Sequence, residues 1–458
     1  MLRMGSARWF SSRSRTVWLF EWPCSTCFSV RMVVMATAVE QAFRICGARV
    51  ICPFSGRDEV RDLHVRGGVL CADAGPDACV IDADGLAILP GFVDLSAHLG
   101  DPGYLWRETL VTGSRAGAAG GFTTVVASPD TDPVIDRGPL LANLEQRAAA
   151  VSGARVRFAG ALTERLAGME LAEIGCMVDA GAAAISDGGR AVGDALVLRR
   201  ALEYAQPFGV PVILRPAEPE LEKDGVVHEG PVALRIGLRG LPSASEEMGT
   251  GRAVALARLT RARVHLHGIS TAQAVRQVRV AQEQGLDVSC GIPARNLILV
   301  DEDVARSQYD TSLRLLPPLR TGTDREALLQ AVRDGVAMVT AGHVPLSRVE
   351  KEHEFERSAP GGAGLESAFA ATLTALDGDL ALVAEALSTR PASVLGERAA
   401  LSEGCRADLV LVDPLAETCI GAPQFSMGVN EPLSGRTLRG AVKATMVAGR
   451  WAFNTLLP

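Results

Sequence analysis

The feature that most constrains the fold is a regular alternation between about residue 87 and residue 395. Short apolar runs that favour β-strands alternate there with amphipathic stretches, and residues 195–205 and 271–284 carry apolar side chains at three- and four-residue spacing. The predicted strands end near Leu95, Ser128, Leu162, Asp187, Arg215, Ser270, Pro293 and His343. Eight strands that alternate with helices predict an α/β fold of the (β/α)8, TIM-like barrel type.

Both ends of the chain are rich in short strand patterns. Residues 39–86 contain apolar runs separated by Gly and Asp turns, and residues 407–454 contain "ADLVLVDP" and "GAVKATMVAGRWAF". We therefore predict a small β-sandwich domain built from both chain ends. The predicted division is residues 39–86 and 399–458 for the β-domain and residues 87–398 for the barrel.

The first 38 residues form a predicted N-terminal extension without a helical or strand period. Residues 1–35 hold five Arg and one Glu, a balance typical of a targeting peptide. An upstream start codon, with Met32 or Met35 as the true first residue, explains the same segment, and both interpretations remain open. We expect the extension to be poorly ordered.

Composition narrows the class of partner and the compartment. The formal net charge of −7 disfavours a nucleic acid or an anionic membrane as the main partner. No apolar run reaches the roughly 18 residues that a spanning helix needs. The 10 Cys show no disulfide or zinc framework, so we expect a cytoplasmic protein.

In barrels of this type the chemistry lies at the carboxyl ends of the strands. Several phrases at or near those ends resemble one known family: "LPGFVDL", "AGAAGGFTTVVASPDTDPVID", "ISDGGRAV", "GLRGLPSASEE", "LPPLRTGTDREAL" and "EKEHEFERSAPGGAGLES". The chain, from about residue 45 to 455, thus resembles the dihydroorotase branch of the amidohydrolase superfamily. The resemblance implies reversible hydrolysis of a cyclic amide in pyrimidine synthesis. That reaction requires a divalent metal, a carboxylate that shuttles a proton, and a cation that holds the substrate carboxylate.

The metal ligands that the resemblance implies are mostly missing. The corresponding positions are Ser96, His98, Asp187, Arg215, Gly268 and Gly342. Only His98 and Asp187 carry ligand side chains, which is fewer than the three protein ligands of a catalytic zinc site. Gly342 also replaces the Asp that serves as general base, so we expect neither a catalytic residue nor a bound metal.

The residues that would hold the substrate are replaced as well. Gly100 stands where the resemblance implies an Arg, and Asp130 and Leu316 stand where it implies Asn. A carboxylate at position 130 repels an anionic substrate. The sequence therefore predicts that the family's anion clamp is lost together with its metal.

Four residues at or beside the implied metal-ligand positions determine what remains of the pocket: His265, His267, His343 and Arg215. Strand alternation predicts that His267 points away from position 268 and packs, with His265, beneath the helices. His343 either contacts a ligand or is a plain hydrogen-bonded residue at the strand mouth. Arg215 either pairs with Asp187, which as a lone buried carboxylate needs a partner, or reaches solvent.

Three hypotheses for function follow. The first is a non-catalytic dihydroorotase homologue that binds the aspartate carbamoyltransferase catalytic chain in an oligomer, a role that the resemblance implies for degenerate relatives. The second is an active cyclic amidohydrolase with a rebuilt mononuclear zinc site that uses His98, Asp187 and His343. The third is a metabolite-binding module whose pocket is lined by Arg215, Asp130 and His98.

Overall fold

The computed structural model describes residues 42–456 of the chain. The predicted extension, residues 1–38, lies outside the described residues. Within them, no helix is both long and apolar enough to cross a membrane.

Within residues 42–456, seven strands precede the barrel. They are β1 (Ala42–Cys46), β2 (Arg49–Cys52), β3 (Arg57–Val60), β4 (Leu63–Arg66), β5 (Val69–Cys71), β6 (Cys79–Asp82) and β7 (Ala87–Pro90). Four of them form one sheet in the order β5-β4-β1-β6, and the other three join a second sheet together with strands from the C-terminal end.

Eight parallel strands then form the barrel. They are β8 (Phe92–Ala97), β9 (Phe122–Ala127), β10 (Arg155–Ala161), β11 (Ala184–Ser186), β12 (Val212–Leu214), β15 (Val264–His267), β16 (Val288–Pro293) and β17 (Ala337–Thr340). A separate pair, β13 (Val227–His228) and β14 (Gly240–Leu241), lies in the loop after β12. The first and last barrel strands meet where the His98 amide donates to the His343 carbonyl at 2.9 Å. The predicted eight-stranded barrel is confirmed, and each strand ends within a few residues of its predicted end.

In the part of the chain that the structure describes, fourteen α-helices cover the strands and their loops. They are α1 (Leu110–Ala119), α2 (Gly138–Ala148), α3 (Ile174–Asp179), α4 (Ala195–Ala205), α5 (Pro219–Glu222), α6 (Pro231–Ile236), α7 (Ser243–Thr260), α8 (Ala272–Glu283), α9 (Asp301–Arg306), α10 (Gly322–Arg333), α11 (Arg348–Lys351), α12 (Ala368–Ala375), α13 (Leu380–Ala384) and α14 (Arg390–Val394). The two helices predicted from periodicity are α4 and α8. Their first turns are capped by Asp194 and Thr271, whose side chains accept backbone N–H groups that lack an intrahelical partner.

Three C-terminal strands complete the second sheet: β18 (Leu409–Cys419), β19 (Thr437–Val447) and β20 (Arg450–Asn454). The sheet runs β20-β19-β18-β7-β2-β3, so it combines both ends of the chain as predicted. Residues 87–90 were predicted to begin the barrel, but they form an inner strand of this sheet, paired with β18 and β2. Ile45, Ile88 and Leu411 are fully buried in the core that this sheet and the β1 sheet share. Each such side chain stabilises the packing by roughly 1.5–3 kcal/mol.

Candidate functional site

A cavity of about 290 Å³ opens at the carboxyl ends of the barrel strands. Residues singled out from the sequence line it: His98, Gly100, Asp130, Arg215, Gly268, Leu316 and Gly342. Tyr104, Arg107, His267 and Arg295 also line it, together with several prolines. Three other singled-out residues, Ser96, Asp187 and His343, do not line the cavity and are buried in the wall around it.

His98 and Asp130 form a hydrogen-bonded pair within the cavity. The loop after β8 places His98, and the loop after β9 places Asp130, with 2.6 Å between His98 Nδ1 and Asp130 Oδ2. Burial acts to lower the pKa of His98, but the charge and hydrogen bond of Asp130 outweigh it and raise the pKa above 6.5. Burial acts to raise the pKa of Asp130, and His98 outweighs it in turn, lowering that pKa to about 2. The pair is therefore an ion pair at mildly acidic pH.

Asp187 faces into the protein and not into the cavity. Its Oδ1 accepts the backbone N–H groups of Leu162 and Thr163, both at 2.9 Å, and its Oδ2 accepts the Thr163 hydroxyl at 2.5 Å. Burial raises the pKa of Asp187 above its usual range. Its carboxylate thus ties β11 to the end of β10 and has its acceptor capacity taken up there.

The predicted ion pair between Arg215 and Asp187 is wrong. Arg215 instead forms a two-point ion pair with Glu222 on α5, with 3.0 Å between Nη1 and Oε1, and its Nε donates to the Gly189 carbonyl at 2.7 Å. The physical reason is that the chain turns back seven residues after Arg215 and supplies a carboxylate with two free oxygens. Asp187 is buried and already accepts three hydrogen bonds from Leu162 and Thr163.

The predicted position of His267 beneath the helices is also wrong. The prediction assumed that the strand continued through residue 268, whereas β15 ends at His267 and Gly268 adopts a left-handed φ of +78°. His267 consequently lines the cavity, and its Nδ1 is buried without a hydrogen-bond partner. Burial lowers the pKa of His267 to about 3, so the ring is neutral at physiological pH. His265, two residues earlier, donates to or accepts from the Ser289 hydroxyl at 2.9 Å and is fully buried.

His343 is a buried hydrogen-bonded residue behind the cavity. Its Nδ1 accepts the Gly364 N–H at 3.2 Å, and its Nε2 lies 3.4 Å from Oε2 of the buried Glu108. Burial acts to raise the pKa of Glu108, but the hydrogen bond and charge of His343 outweigh it and lower that pKa. The structure therefore places His343 in a wall contact between the last strand and the loop before α1.

Arg295 is one of the cavity residues that sequence reasoning missed, as are Tyr104 and Arg107. It follows β16 directly, is 4% exposed, and donates from Nη1 to the Gly342 carbonyl at 2.6 Å. A Cβ added to Gly342 would lie 2.8 Å from that Nη1 and 2.9 Å from Pro293 Cβ. The guanidinium thus occupies the space into which a side chain at position 342 would project. Burial lowers the pKa of Arg295 to about 10, which leaves it a cation at neutral pH. The sequence feature that could have identified Arg295 is its position just after the predicted strand that ends near Pro293, in "GIPARN".

The cavity does not fit a divalent metal. Asp187 and Nδ1 of His343 are committed to protein hydrogen bonds, and Nδ1 of His98 is committed to Asp130. Nε2 of His343 faces Glu108 at 3.4 Å, in the wall behind the cavity. This leaves ring nitrogens of His98 and His267, and residues 42–456 contain no cluster of three or more His, Cys, Asp or Glu that could hold a metal ion. Two nitrogen donors beside the permanently charged guanidinium of Arg295 are fewer than the three protein ligands of a catalytic zinc site.

The fold is a (β/α)8 barrel flanked by sheets from both chain ends, and it is shared with solved structures of this class. L-hydantoinase (dihydropyrimidinase) from Arthrobacter aurescens superposes with a TM-score of 0.80 at 22% identity, over 91% of this chain and 96% of that chain. Dihydropyrimidinase from Brevibacillus agri NCHU1002 superposes with a TM-score of 0.77, also at 22% identity, over the same shares of the two chains. At this identity the likeness concerns the fold.

Sequence comparison gives the particular family. Residues 85–274 match the family model described as dihydro-orotase-like. A dihydroorotase from Anaeromyxobacter dehalogenans strain 2CP-C is 41% identical over 415 residues, which covers 88% of this chain and 96% of that protein. A dihydroorotase from Desulforapulum autotrophicum is 37% identical over 419 residues, or 89% of this chain and 98% of that protein. The chain belongs to the dihydroorotase family.

Proposed function

We propose that this chain is a dihydroorotase homologue without catalytic activity that acts in pyrimidine synthesis as a structural partner of the aspartate carbamoyltransferase catalytic chain. The main support for the proposed loss of catalysis is the contact between Arg295 and Gly342. At the position of the family's general base there is no titratable side chain, and a buried cation fills the space.

The positive charge of Arg295 in the cavity argues against hydrolysis by the metal-dependent mechanism that the family resemblance implies. That route needs a metal to acidify a water molecule and a carboxylate to take the proton. Arg295 is a fixed positive charge in a buried setting, where repulsion of a second cation is much stronger than in water. Asp130, the carboxylate in the cavity, is held by His98, and its pKa of about 2 makes it a weak base.

The partner role is supported by what the chain retains. The barrel and the β-domain each keep an extensive buried core, and a fold can present a binding surface after its site chemistry is gone. Trp106 and Met427, in loops, and Val349, on α11, are exposed apolar side chains. Contacts of Arg107 with Glu350 and of Ser426 with Glu108 tie these segments together. We propose that the three side chains form one exposed apolar patch, the kind of surface that marks interaction sites.

Catalysis is tested on the purified full chain by elemental analysis and by dihydroorotate hydrolysis and cyclisation assays, with and without added zinc. The Anaeromyxobacter dehalogenans dihydroorotase serves as the positive control under the same conditions. We expect metal far below one ion per chain and no turnover above the protein-free rate. Stoichiometric metal together with turnover establishes the alternative, an active hydrolase with a rebuilt site.

Partnership is tested by co-expression with the aspartate carbamoyltransferase catalytic chain of the same organism. We expect co-elution in size-exclusion chromatography with light scattering, and a higher thermal midpoint for the carbamoyltransferase activity. Trp106→Ser is expected to weaken the complex, and Leu234→Ser, which removes an exposed apolar group on α6, is the matched control. Separate elution with an unchanged thermal midpoint contradicts the partner role.

A further inference from the structure

The outward face of α7 is apolar along most of its length. α7 lies between α4 and α8 on the outside of the barrel, and the opposite, inner face of the helix is buried. The residues that lie along the outward face at three- and four-residue spacing are Ala244, Met248, Gly251, Ala255 and Leu259. Met248 is 54% exposed and Leu259 is 58% exposed. The solvent-facing side of a surface helix is normally polar, so this face has the character of a contact surface.

A charged residue near the middle of this face turns away from it. Arg252 donates from Nη1 to the Glu218 carboxylate at 2.8 Å and from Nη2 to the Ala217 carbonyl at 2.6 Å. These contacts draw the guanidinium toward the loop before α5, where it is mostly buried. The charge of Arg252 therefore does not interrupt the apolar face.

Gly251 lies in the middle of the face, and its contacts within the described residues do not require a glycine. A Cβ added there would meet one atom, the Gln277 side-chain oxygen, at an ordinary contact distance of 3.5 Å. At Gly249, on the inner side of the same helix, an added Cβ would lie 2.2 Å from the backbone nitrogen of Ala217. Glycine is less favourable than alanine inside a helix, and the close approach of another backbone is a physical reason to keep one. Gly251 thus fits a partner that packs closely on the outward face.

Two opposite charges, Glu247 and Arg258, flank the face near its two ends. Among residues 42–456, no cationic nitrogen lies within 4.0 Å of the Glu247 carboxylate, and no carboxylate lies within 4.0 Å of the Arg258 guanidinium. Arg258 donates to the Gln284 side chain at 2.5 Å instead. The offset between Glu247 and Arg258 is close to three helical turns, which places both on the same flank of the face and about 16 Å apart, too far to pair with each other.

We propose that a second copy of this chain covers the outward face of α7, in a dimer in which the two α7 helices run antiparallel across a twofold axis. A twofold axis places the same patch on both sides of the contact, so every pair of residues occurs twice. It also brings the same flank of the two helices together in opposite directions. Glu247 of each copy then lies level with Arg258 of the other, and both charges gain a partner.

The apolar residues interlock in the same register. Met248 then lies between the levels of Ala255 and Leu259 in the second copy. Leu259 lies between the levels of Ala244 and Met248, and Gly251 is near the centre, where it allows the two backbones to approach. Side chains of one helix thus fit the gaps between side chains of the other, which is how closely packed helices meet.

The neighbouring helices widen this surface. Leu196 and Tyr204 on α4 and Val280 on α8 are about half exposed. A stable dimer buries roughly 800 Å² on each copy, and three adjacent helices supply such an area more readily than one.

The first test is the molar mass of the full chain on its own. Sedimentation velocity and light scattering measure it at chain concentrations from about 1 to 100 µM, a range that reveals dimers with micromolar Kd. We expect a mass that rises to twice that of the chain. A monomer throughout this range overturns the proposal.

A charge reversal then tests the antiparallel register. Glu247→Arg and Arg258→Glu are each expected to weaken the dimer about tenfold or more in Kd, because each variant replaces two attractive pairs by two repulsive ones. The double variant reverses both charges and is expected to recover the wild-type Kd. Such recovery requires two copies of α7 that face each other, and its absence in a folded double variant overturns the proposal.

Gly251→Gln tests the close approach at the centre. We expect it to abolish the dimer while the thermal midpoint of the monomer stays equal or rises, because the monomer has room for the side chain and glutamine favours a helix more than glycine. Leu234→Ser, on the exposed face of α6, is the control and is expected to leave the dimer unchanged. An unchanged dimer in a folded Gly251→Gln overturns the proposal.

The outcomes separate this inference from the proposed function, because the dimer concerns the chain alone. A dimer that forms when co-elution with the carbamoyltransferase fails supports the second copy and contradicts the partner role. A chain that is monomeric alone, and that loses co-elution in Gly251→Gln, assigns this face to the carbamoyltransferase and overturns the second copy.

Discussion

Asp130 fixes the orientation of the His98 ring, since its Oδ2 lies 2.6 Å from Nδ1 and leaves the opposite ring nitrogen directed elsewhere. The two residues come from neighbouring strand ends, and both are largely removed from solvent. Each shifts the pKa of the other in the direction that favours the charged form. The pair is thus a local electrostatic unit, separate from Arg295.

Asp130→Asn is expected to lower the pKa of His98 from above 6.5 to below 6.5, since burial then acts without the opposing carboxylate. NMR titration of the histidine ring signals measures this, and with only 7 His in the chain a His98→Gln spectrum assigns the signal. A His98 pKa that does not move in Asp130→Asn contradicts the pairing.

The same pair predicts a pH window for stability. The raised pKa of His98 contributes stability that is present below about 6.5 and is lost as pH rises through the folded-state value. The lowered pKa of Asp130 contributes stability that is present above about 3.8 and is lost as pH falls through about 2. Urea unfolding of wild type and Asp130→Asn is therefore expected to differ most between about pH 4 and 6.5, and the difference is expected to shrink as pH rises through the folded-state pKa of His98.

Gly342→Ala is expected to destabilise the protein more than Gly209→Ala. Both glycines have a left-handed φ, +61° and +66°, so both substitutions cost about 1 kcal/mol of backbone strain. A Cβ at position 342 would also press on Arg295 and on Pro293, whereas position 209 has open space. The additional cost is about 1–3 kcal/mol, measured as the difference in the free energy of unfolding. Equal costs at the two positions show that Arg295 does not fill the space beside residue 342.

A double-mutant cycle on Arg215 and Glu222 is expected to give a coupling free energy of about 1 kcal/mol or more, because both side chains are mostly buried. The exposed pair Arg199 and Glu203 is the matched control and is expected to give about 0.3–0.5 kcal/mol. The cycle between Arg215 and Asp187 is expected to give less than the Glu222 cycle. A larger coupling free energy for Arg215 with Asp187 than for Arg215 with Glu222 would support the ion pair that was predicted from the sequence.

Glu431→Gln is expected to flatten the pH dependence of stability between about pH 4.5 and 7. Burial raises the pKa of Glu431 to about 7, so its contribution is present below about 4.5 and is lost as pH rises through 7. The upper limit of this change is about 3 kcal/mol. Urea unfolding at several pH values measures it, and Glu203→Gln on the exposed face of α4 is the control. Parallel pH profiles for wild type and Glu431→Gln contradict the shift.

The barrel could be predicted from the sequence because its signals are local. Each strand is a short apolar run, and α4 is bounded by Asp194 and a clear helical period. Part of the cavity lining could be predicted as well, since the strand ends converge on one opening of the barrel. The partners of the lining residues could not. Glu222 reaches Arg215 because of how the chain folds back after β12, and His267 and Gly268 both line the cavity because the left-handed Gly268 ends the strand's alternation.

The position of β7 has a consequence for biosynthesis. This strand leads within two residues into the first barrel strand, yet its antiparallel neighbour is β18, more than three hundred residues later. While the ribosome is still translating the barrel, the Ala87–Pro90 edge has no antiparallel neighbour to pair with. The second sheet therefore cannot be completed before Leu409 has been synthesised, and a chain truncated before Leu409 is expected to leave Ala87–Pro90 without its antiparallel partner.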